Sequence, residues 1–569
     1  MAVESIKVAS KSEFTKDGAE MKEVTFKDDA KILLSKVNGE FFATGSKCTH
    51  YGAPLAKGVI TSTGRIVCPW HGACFSASGG ISGQAGDIED APAPRNLLSF
   101  KVEVKGDDIY VSADPEEVKK NARPTKPLGG IKKEGKGIVI IGGGSGATYA
   151  VEGLRESGYT GPIRIISKES YLPIDRTKLS KALIDDAAKL AVREESWYKE
   201  NAIDLNLGTV VKSVDVQGEN VTTADGQTFG YEHLILATGA DPTKIPVEGK
   251  DLGNIFLLRT IDDTKAINSA IAAATVQQPE IVQTIEEKIG ADKLFKPNMV
   301  IIGSSFIGME AALAASKKAN VTVVGMDKVP FEAILGPQVG DALRKNHEKQ
   351  GIKFKLSAEL SHFEPSSSDP SKVGSVVLKS GEKIPAAVVL VGAGVKPVTD
   401  YAQNIPGIQL DEKDKSIIVD EQLRVKGIGK NNVYAIGDIA KFPDVKTGDQ
   451  MRIEHWNVAG NHGRSVASTI CGKEEPYNKT AIFWSAQGAQ LRYCGTSKSS
   501  KWEDVYVDGN PEELKFCAWY GKGDEVVAVA TMGRDPIVSH ASELFTLKKM
   551  PGFGQIKSGT DVLQIPLSA

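Results

Sequence analysis

The chain has 569 residues, a length that predicts about three to four domains. Hydrophobic residues make up 41% and charged residues 25%, and 69 basic residues nearly balance 72 acidic ones, as in ordinary globular proteins. This balance gives no reason to expect a nucleic-acid partner, and no apolar run approaches the roughly 18 residues of a membrane helix, so no membrane span is expected. Only Cys48, Cys68 and Cys74 cluster among the six cysteines, and the first residues include Glu4 and Glu13 but no arginine. We therefore expect metal binding in a reducing, cytoplasmic compartment and no mitochondrial presequence.

Residues 1–114 predict an all-β first domain. Short strand-like runs occur at 23–26, Ala30–Val37 and 39–43, and again at 100–105 and 108–111, with glycine and proline between them. Residues 115–137 are polar and charged and include Pro124 and Pro127, so we interpret them as a linker.

The following part of the chain predicts an α/β fold, because strand-like apolar runs alternate with helical stretches. Two of these runs, 138–142 and 299–303, end in glycine-rich turns. We therefore predict two Rossmann-like domains, one built from residues 138–262 and 396–476 and the other from residues 263–395. Residues 273–294 are polar and predict a linking helix. Residues 477–569 return to short strands and end in a helix near 542–548, which predicts a C-terminal α+β domain.

Two short motifs in the first domain predict a metal centre. Cys48-Thr49-His50 is followed by Cys68-Pro69-Trp70-His71, so each motif carries one cysteine and one histidine. A Rieske [2Fe–2S] cluster needs this set, since two thiolates hold one iron and two imidazoles hold the other. A Cys₂His₂ zinc site has the same ligands but usually pairs like with like. The stretch 47–75 resembles ferredoxin-type Rieske domains, and we predict Cys48, His50, Cys68 and His71 as the cluster ligands. Cys74 is interpreted as a small buried residue.

The first glycine-rich turn has the spacing of a dinucleotide-binding site. Gly142, Gly144 and Ala147 occupy the glycine and alanine positions of the G-x-G-x-x-G/A pattern, between a strand and a helix, with Ser145 inside the turn. Such glycines let a pyrophosphate approach the backbone at the helix N-terminus. Glu169 follows the next strand and is a candidate for a ribose hydroxyl.

Three further segments resemble the FAD-dependent pyridine-nucleotide reductases. They are the strand end Ala237-Thr238-Gly239-Ala240, the Gly437-Asp438 pair, and the segment Asp175–Lys181. The last resembles the branch that contains ferredoxin reductases of oxygenase systems and apoptosis-inducing factors. The resemblance implies FAD as cofactor and implies that these residues lie near it: Arg176, Lys181, Ala237, Thr238, Gly239 and Asp438.

The second glycine-rich turn resembles the nicotinamide unit of the same family. It contains Gly303, Ser305 and Gly308, with Ser305 in the middle glycine position, and Glu310 follows. The resemblance implies that Glu310 pairs with Lys181 beside the flavin and the nicotinamide. Such a pair could orient the nicotinamide and stabilise charge on the reduced flavin.

The choice between NADH and NADPH is indicated only by the end of the next strand. Gly325 occupies the position at which a glutamate would indicate NADH, and no arginine is present nearby to bind the 2′-phosphate of NADPH. Asp327 is a candidate ribose contact. We expect NADH, with NADPH left open. Gly394 lies in a GAGVKP turn that matches the family pattern and closes this unit.

The order of these units resembles that of Rieske-bearing, apoptosis-inducing-factor-like proteins over nearly the whole chain. In relatives, segments like those around His455 and Trp484 close over the flavin, which implies a catalytic role for His455, Lys181 and Glu310 and a flavin contact for Trp484. The chain lacks the cysteine pair that a glutathione-reductase-like or thioredoxin-reductase-like enzyme needs. It also lacks the additional four-cysteine set of a nitrite reductase.

We therefore expect an NAD(P)H-dependent reductase that passes electrons from FAD to its own Rieske cluster and on to an unknown redox protein or small acceptor. The alternative is a nucleotide-dependent redox sensor or cell-death signalling protein. A homodimer is left open, and the resemblance also leaves mitochondrial association open.

Overall fold

The first domain consists of two antiparallel sheets. We describe it from a computed structural model covering residues 3–80, 83–123, 128–276, 296–444, 447–496 and 502–568. One sheet has the order β1-β10-β9-β4-β3-β2 and the other the order β5-β6-β7-β8. The strands are β1 (Glu4–Ser10), β2 (Glu20–Lys27), β3 (Ala30–Val37), β4 (Glu40–Gly45), β5 (Val59–Ile60), β6 (Arg65–Val67), β7 (Cys74–Ser76), β8 (Ile88–Asp90), β9 (Ser99–Lys105) and β10 (Asp108–Ala113). In β10 every second side chain is buried, the period expected of a sheet with one face on the core. The two ligand motifs lie in the loops after β4 and β6.

The segment interpreted as a linker begins as a short helix, α1 (Pro115–Lys120). The Asp114 side chain accepts a hydrogen bond from the N–H of Glu116, and Pro115 occupies the first helical position, so the start of the helix is well capped. Arg123 then forms an ion pair with Asp87 at 2.8 Å. The chain from 115 to 123 is therefore attached to the first domain.

The first nucleotide domain is built on a parallel sheet with the order β13-β12-β11-β17-β29. Its strands are buried on both faces, which explains runs such as Ile138–Ile141 without polar residues. The elements are β11 (Ile138–Ile141), α2 (Ser145–Glu156), β12 (Ile163–Ile166), α3 (Thr177–Ala182), α4 (Glu195–Glu200), β13 (Ile203–Asn206), β14 (Val211–Asp215), β15 (Asn220–Thr223), β16 (Thr228–Gly230), β17 (His233–Leu236) and β18 (Ala240–Pro242). Strand β29 (Val433–Ala435) enters this sheet from beyond the second nucleotide domain.

The second nucleotide domain repeats this topology, with the sheet order β19-β26-β20-β21-β22. The elements are β19 (Ile255–Phe256), α5 (Ile261–Val276), β20 (Asn298–Ile302), α6 (Phe306–Ser316), β21 (Asn320–Val324), α7 (Glu332–Lys349), β22 (Lys353–Lys355), β23 (Leu360–Pro365), β24 (Val373–Leu378), β25 (Lys383–Pro385), β26 (Val388–Val391) and β27 (Val395–Pro397). Strand β19 lies before residue 263, where the sequence places the domain boundary. Most of the linking helix predicted at 273–294 lies outside the described residues.

The chain then completes the first nucleotide domain and forms a C-terminal antiparallel sheet, β32-β33-β36-β35-β34, flanked by two helices. The elements are β28 (Ile417–Ile418), β29, β30 (Ala440–Pro443), β31 (Gln450–Met451), α8 (Trp456–Ile470), β32 (Ile482–Ala486), β33 (Gln490–Gly495), β34 (Asp504–Asn510), β35 (Lys515–Lys522), β36 (Glu525–Met532), α9 (Ile537–Thr546) and α10 (Phe553–Lys557). The predicted architecture is confirmed: an all-β domain, two Rossmann-like domains and a C-terminal α+β domain. In the part of the chain that the structure describes, no helix is both long and apolar enough to cross a membrane.

Candidate functional site

The two ligand loops of the first domain share one hydrogen-bonding scheme. In each loop the cysteine N–H donates to the carbonyl five residues later, and the cysteine carbonyl accepts from a glycine N–H four residues later. The four bonds are Cys48 N to Ala53 O at 2.8 Å, Gly52 N to Cys48 O at 2.9 Å, Cys68 N to Ala73 O at 2.8 Å, and Gly72 N to Cys68 O at 3.3 Å. Both glycines have positive φ, 77° and 69°, which favours glycine there.

The structure brings the predicted ligands together in two buried pairs, one of histidines and one of cysteines. The two histidines face each other, with 3.3 Å between Nδ1 of His50 and Nδ1 of His71. Burial lowers the pKa of His50 to about 4 and the pKa of His71 well below its usual value, so both rings are neutral, the form that binds metal. Cys48 and Cys68 share a hydrogen bond, and this bond together with burial raises the pKa of the Cys48 thiol.

This arrangement fits a binuclear cluster better than a zinc ion. Among the residues that the structure describes, no group of three or more His, Cys, Asp or Glu side chains converges on one point. A zinc ion would need four such ligands, whereas each iron of a Rieske cluster takes only two from the protein. One histidine pair and one cysteine pair therefore match the Rieske alternative. Cys74 is buried, and its thiol donates to the carbonyl of Gly72 at 3.2 Å.

A cavity of about 790 Å³ extends from the histidine pair into the nucleotide domains. The first glycine-rich turn forms part of its wall, through Gly142, Gly144 and Ser145. Gly142 has φ of 113°, and a Cβ there would collide with the carbonyl of Ala237. No atom lies within 4 Å of where a Gly144 Cβ would be, so the turn leaves open space for a ligand. Ala147 is buried in the core beneath the turn and does not line the cavity.

The same cavity is lined by the remaining residues that were predicted to lie near the flavin. Some of them form two ion pairs, and the others lie at the end of one strand. Arg176 donates to Glu169 at 2.8 Å. Asp438 pairs with Arg259 at 3.3 Å, and this arginine was not predicted. The backbone from 237 to 239 lines the cavity, and the Thr238 hydroxyl donates to the carbonyl of Val398 at 2.6 Å.

Lys181 and Glu310 meet, with 3.2 Å between Nζ and Oε2. The Glu310 carboxylate is only 5% exposed and accepts three further hydrogen bonds, two of them from hydroxyls that the sequence analysis missed. The donors are Ser180 Oγ at 2.5 Å, Ser485 Oγ at 2.6 Å and the N–H of Ala486 at 3.1 Å. Both serines belong to motifs quoted from the sequence, but nothing in those motifs indicates that they share one carboxylate.

The second glycine-rich turn reaches the cavity through Ser305. Gly303 and Gly308 lie beneath it and pack closely, since a Cβ on Gly308 would collide with the carbonyl of Gly303. Like Ala147, Gly303 and Gly308, two more predicted residues do not line the cavity: Asp327 is exposed on the loop after β21, and Gly394 lies in the turn before β27.

The metal loops and the flavin motifs meet at one end of the cavity. The His71 ring lies 5.1 Å from the Trp484 ring, and Lys181 Nζ lies 5.3 Å from the same indole. His455 is the N-cap residue of α8 and its ring is 4.6 Å from that of Phe483. Tyr51, which was not predicted, stacks on His50 at 3.8 Å and donates a hydrogen bond to Asp175.

Several buried polar atoms in this cavity wall have no hydrogen-bond partner among the residues that the structure describes. They are Trp484 Nε1, Asn457 Oδ1 and His71 Nε2. Buried polar groups in proteins are almost always satisfied, so these atoms together with the open space at Gly144 indicate a polar ligand in the cavity. The residues present therefore fit a bound dinucleotide that reaches from the first turn to the histidine pair.

Comparison with known proteins gives matches over both parts of the chain. The Rieske [2Fe-2S] domain model matches residues 4–101, and the pyridine nucleotide-disulphide oxidoreductase model matches residues 136–463. Apoptosis-inducing factor 3 of Homo sapiens is 35% identical over 523 residues, covering 90% of this chain and 80% of that protein. Rubredoxin-NAD(+) reductase of Pseudomonas putida is 31% identical over 400 residues, covering 69% of this chain and 95% of its own length. The crystal structure of a ferredoxin reductase from Rhodopseudomonas palustris, 27% identical, superimposes with a TM-score of 0.65 over 74% of this chain and 97% of that one.

Proposed function

Since the chain belongs to the pyridine nucleotide-disulphide oxidoreductase family and carries a Rieske domain, we propose that it oxidises a nicotinamide nucleotide and passes the electrons through its own cluster to a separate acceptor. Family membership makes it an oxidoreductase with FAD and NAD(H) as cofactors, and the Rieske domain implies a [2Fe–2S] cluster. FAD accepts two electrons as a hydride and can release them singly, and the cluster takes one electron at a time.

The single observation that carries the proposal is the shared cavity. His50 and His71 line the same space as both glycine-rich turns and the Lys181–Glu310 pair. A metal loop that served only to stabilise the first domain would have no reason to place its histidines there. The relatives support this direction of electron flow, since rubredoxin-NAD(+) reductase is named for rubredoxin together with NAD(+).

The chain's own residues supply binding, orientation and charge. Gly142 and Gly144 would hold the pyrophosphate at the N-terminus of α2, where backbone N–H groups and the helix dipole favour an anion. Glu169, oriented by Arg176, would bind a ribose hydroxyl. Lys181, held by Glu310, places a positive charge in the cavity wall that would stabilise negative charge on the reduced flavin.

We name NADH as the donor. Gly325 follows the end of strand β21, a Cβ there would press against the hydroxyl of Ser304, and Asp327 nearby would repel a 2′-phosphate. The kcat/KM for NADH should exceed that for NADPH by about tenfold or more, a difference of about 1.4 kcal/mol. A preference for NADPH would contradict this assignment while leaving the electron route untouched.

The decisive experiment is an anaerobic NADH titration of the holoprotein, followed by flavin absorbance and by electron paramagnetic resonance. The flavin should bleach and a reduced Rieske signal should grow as NADH is added. Cys68→Ser should remove the cluster signal and reduction of a one-electron acceptor, yet keep flavin reduction, because Cys68 does not line the cavity. Cys74→Ala, a buried cysteine outside the ligand set, is the matched control and should keep both signals.

Two results would overturn the proposal. Zinc without iron or sulfide in the purified protein would remove the cluster. A flavin that NADH reduces while the cluster stays oxidised would break the electron route, and slow turnover coupled to a change in assembly would favour the sensor alternative. We place the protein in a reducing compartment such as the cytoplasm, because none of its six cysteines, all of which lie among the described residues, forms a disulfide.

A further inference from the structure

The second metal loop is held by side chains from outside its own domain. Three of its backbone carbonyls accept hydrogen bonds from residues of α8, β33 and α9. Ser539 Oγ donates to Cys68 O at 3.0 Å, Arg492 Nε donates to Pro69 O at 2.9 Å, and Asn457 Nδ2 donates to His71 O at 2.9 Å. We call Asn457, Arg492 and Ser539 the carbonyl clamp.

Because the donors are buried, each of these hydrogen bonds contributes to holding the loop in place. The exposed fractions of Ser539, Arg492 and Asn457 are 1%, 3% and 6%, so solvent cannot easily replace a lost donor. Arg492 also brings a positive charge to the loop: its guanidinium donates to the carbonyl of Pro69, the residue after Cys68, and pairs with Asp535 at 3.0 Å. A positive charge beside a cluster favours the reduced, more negative form.

The first metal loop is held mainly by residues of the first domain and the helix attached to it, and it contacts the first nucleotide domain through the Tyr51 side chain, which donates to Asp175. The Thr49 hydroxyl donates to the carbonyl of Arg95 at 2.6 Å, and Asn121 bonds both the N–H and the carbonyl of Lys47. The clamp is therefore a property of the second loop, the loop whose histidine contacts Trp484.

A second line of contacts fixes the first domain against the first nucleotide domain. Asn461 accepts from the N–H of Ala91 at 2.8 Å, Arg464 donates to the carbonyl of Ile88 at 2.8 Å, and Tyr149 donates to the carbonyl of Pro92 at 2.5 Å. Any swing of the first domain would break these bonds together with the clamp.

We propose that the carbonyl clamp positions the cluster for electron transfer from the flavin with the Rieske domain permanently docked, and that Arg492 raises the cluster's affinity for the electron. This inference rests on the proposed function. In the step concerned, one electron leaves the reduced flavin and enters the oxidised cluster, and the nicotinamide nucleotide is the source of reductant. Asn457, Arg492 and Ser539 are positioning residues, since they act through the loop backbone.

The test compares Ser539→Ala, Arg492→Lys and Arg492→Met with two matched controls in the holoprotein. Ser542→Ala removes a hydroxyl that bonds only its own helix, and Arg534→Met breaks an exposed ion pair with Asp508 in the same domain. The readouts are amide hydrogen exchange in residues 68–73, the reduction potential of the cluster, and stopped-flow transfer from flavin to cluster.

Ser539→Ala should raise exchange in the loop by about 2- to 10-fold, the value of one buried hydrogen bond, and slow the transfer. Arg492→Met should lower the potential by about 59 mV or more, a tenfold shift in the one-electron equilibrium. Arg492→Lys should keep the potential, because it keeps the charge, but raise exchange, because it loses the Nε–H that donates to the Pro69 carbonyl. Both controls should match the wild type, and wild-type transfer should not slow when sucrose doubles the viscosity.

The clamp is refuted if all three clamp variants show the same hydrogen exchange and the same cluster potential as the wild type. It is also refuted if electron transfer in the wild type slows in proportion to viscosity, as expected for a domain that must swing. These outcomes are separate from failure of the proposed function. If NADH does not reduce the wild-type cluster at all, the proposed function fails, and the exchange and potential measurements still judge the clamp on chemically reduced protein.

Discussion

Neutralising the Lys181–Glu310 pair should slow flavin reduction in a non-additive way. The changes are Glu310→Gln, Lys181→Met and the double variant. Removing Lys181 leaves a carboxylate that keeps three donors, whereas removing the charge of Glu310 leaves an ammonium whose other close acceptor is the carbonyl of Thr177 at 3.1 Å. Either single change therefore leaves one charge without its counterpart in a largely buried site.

The magnitude follows from distance and burial. At 3.2 Å the two charges attract by about 5 kcal/mol with an effective dielectric constant near 20, before desolvation is subtracted. The side chains are 17% and 5% exposed, so solvent screens the pair only in part. We expect each single change to cost about 3 kcal/mol, near the lower end for a broken buried pair, and the coupling to be about 2 kcal/mol. That coupling corresponds to about 30-fold in rate.

The assay is stopped-flow flavin reduction by NADH under anaerobic conditions, measured for the wild type, both single variants and the double variant. Lys168 and Asp241 provide a matched control, since they form an ion pair of 3.0 Å in the same cavity wall but are about half exposed. Their cycle should give less than about 1 kcal/mol of coupling. Strict additivity at Lys181 and Glu310, within about 0.5 kcal/mol, would refute the reasoning, because it would mean that the two side chains act independently.

Two further predictions concern the first nucleotide domain. Gly144→Ala should leave the fold of the FAD-free protein unchanged but weaken FAD binding by about tenfold or more. Gly142→Ala should destabilise even the FAD-free protein, because its Cβ would meet the carbonyl of Ala237. Thermal unfolding and flavin titration distinguish the two variants, and equal behaviour would contradict the assignment of the turn. His462 is fully buried, its Nδ1 accepts from the N–H of Gly437, and burial lowers its pKa from 6.5 to about 3. The unfolded chain therefore takes up the proton first, so stability falls as the pH drops from about 6.5 toward 3, by up to about 1.4 kcal/mol per pH unit from this group. Denaturant unfolding of His462→Gln should show a correspondingly shallower loss between pH 6 and 4, and an unchanged slope would contradict it.

Local features of the chain could be predicted because they depend on residues close in sequence. The strand at Ala30–Val37 has the expected bounds. The two loops with the predicted ligands are tight turns, as their glycines indicate, since Gly52 and Gly72 adopt positive φ and donate to the cysteine carbonyl four residues earlier. Both glycine-rich turns could be predicted because they need positive φ and close backbone approach, which glycine permits and few other residues do.

Other features depend on how distant surfaces meet, and only the tertiary structure decides them. Ser539 is 471 residues from Cys68, yet its hydroxyl holds the metal loop. No pattern of spacing indicates that contact, because it depends on where α9 lies against the first domain. The same holds for Ser485 on Glu310, and for Asp327, which the sequence places at a nucleotide and the structure places outside the cavity.

The sequence by itself therefore determined which chemical groups the chain carries: two metal loops, two dinucleotide turns and a lysine–glutamate pair. The tertiary structure decided that they share one cavity, and that side chains of two other domains hold the second metal loop against it. The physical reason is range. Turn geometry and strand periodicity act over a few residues, whereas docking depends on the complementarity of surfaces that the chain assembles only after each domain has folded.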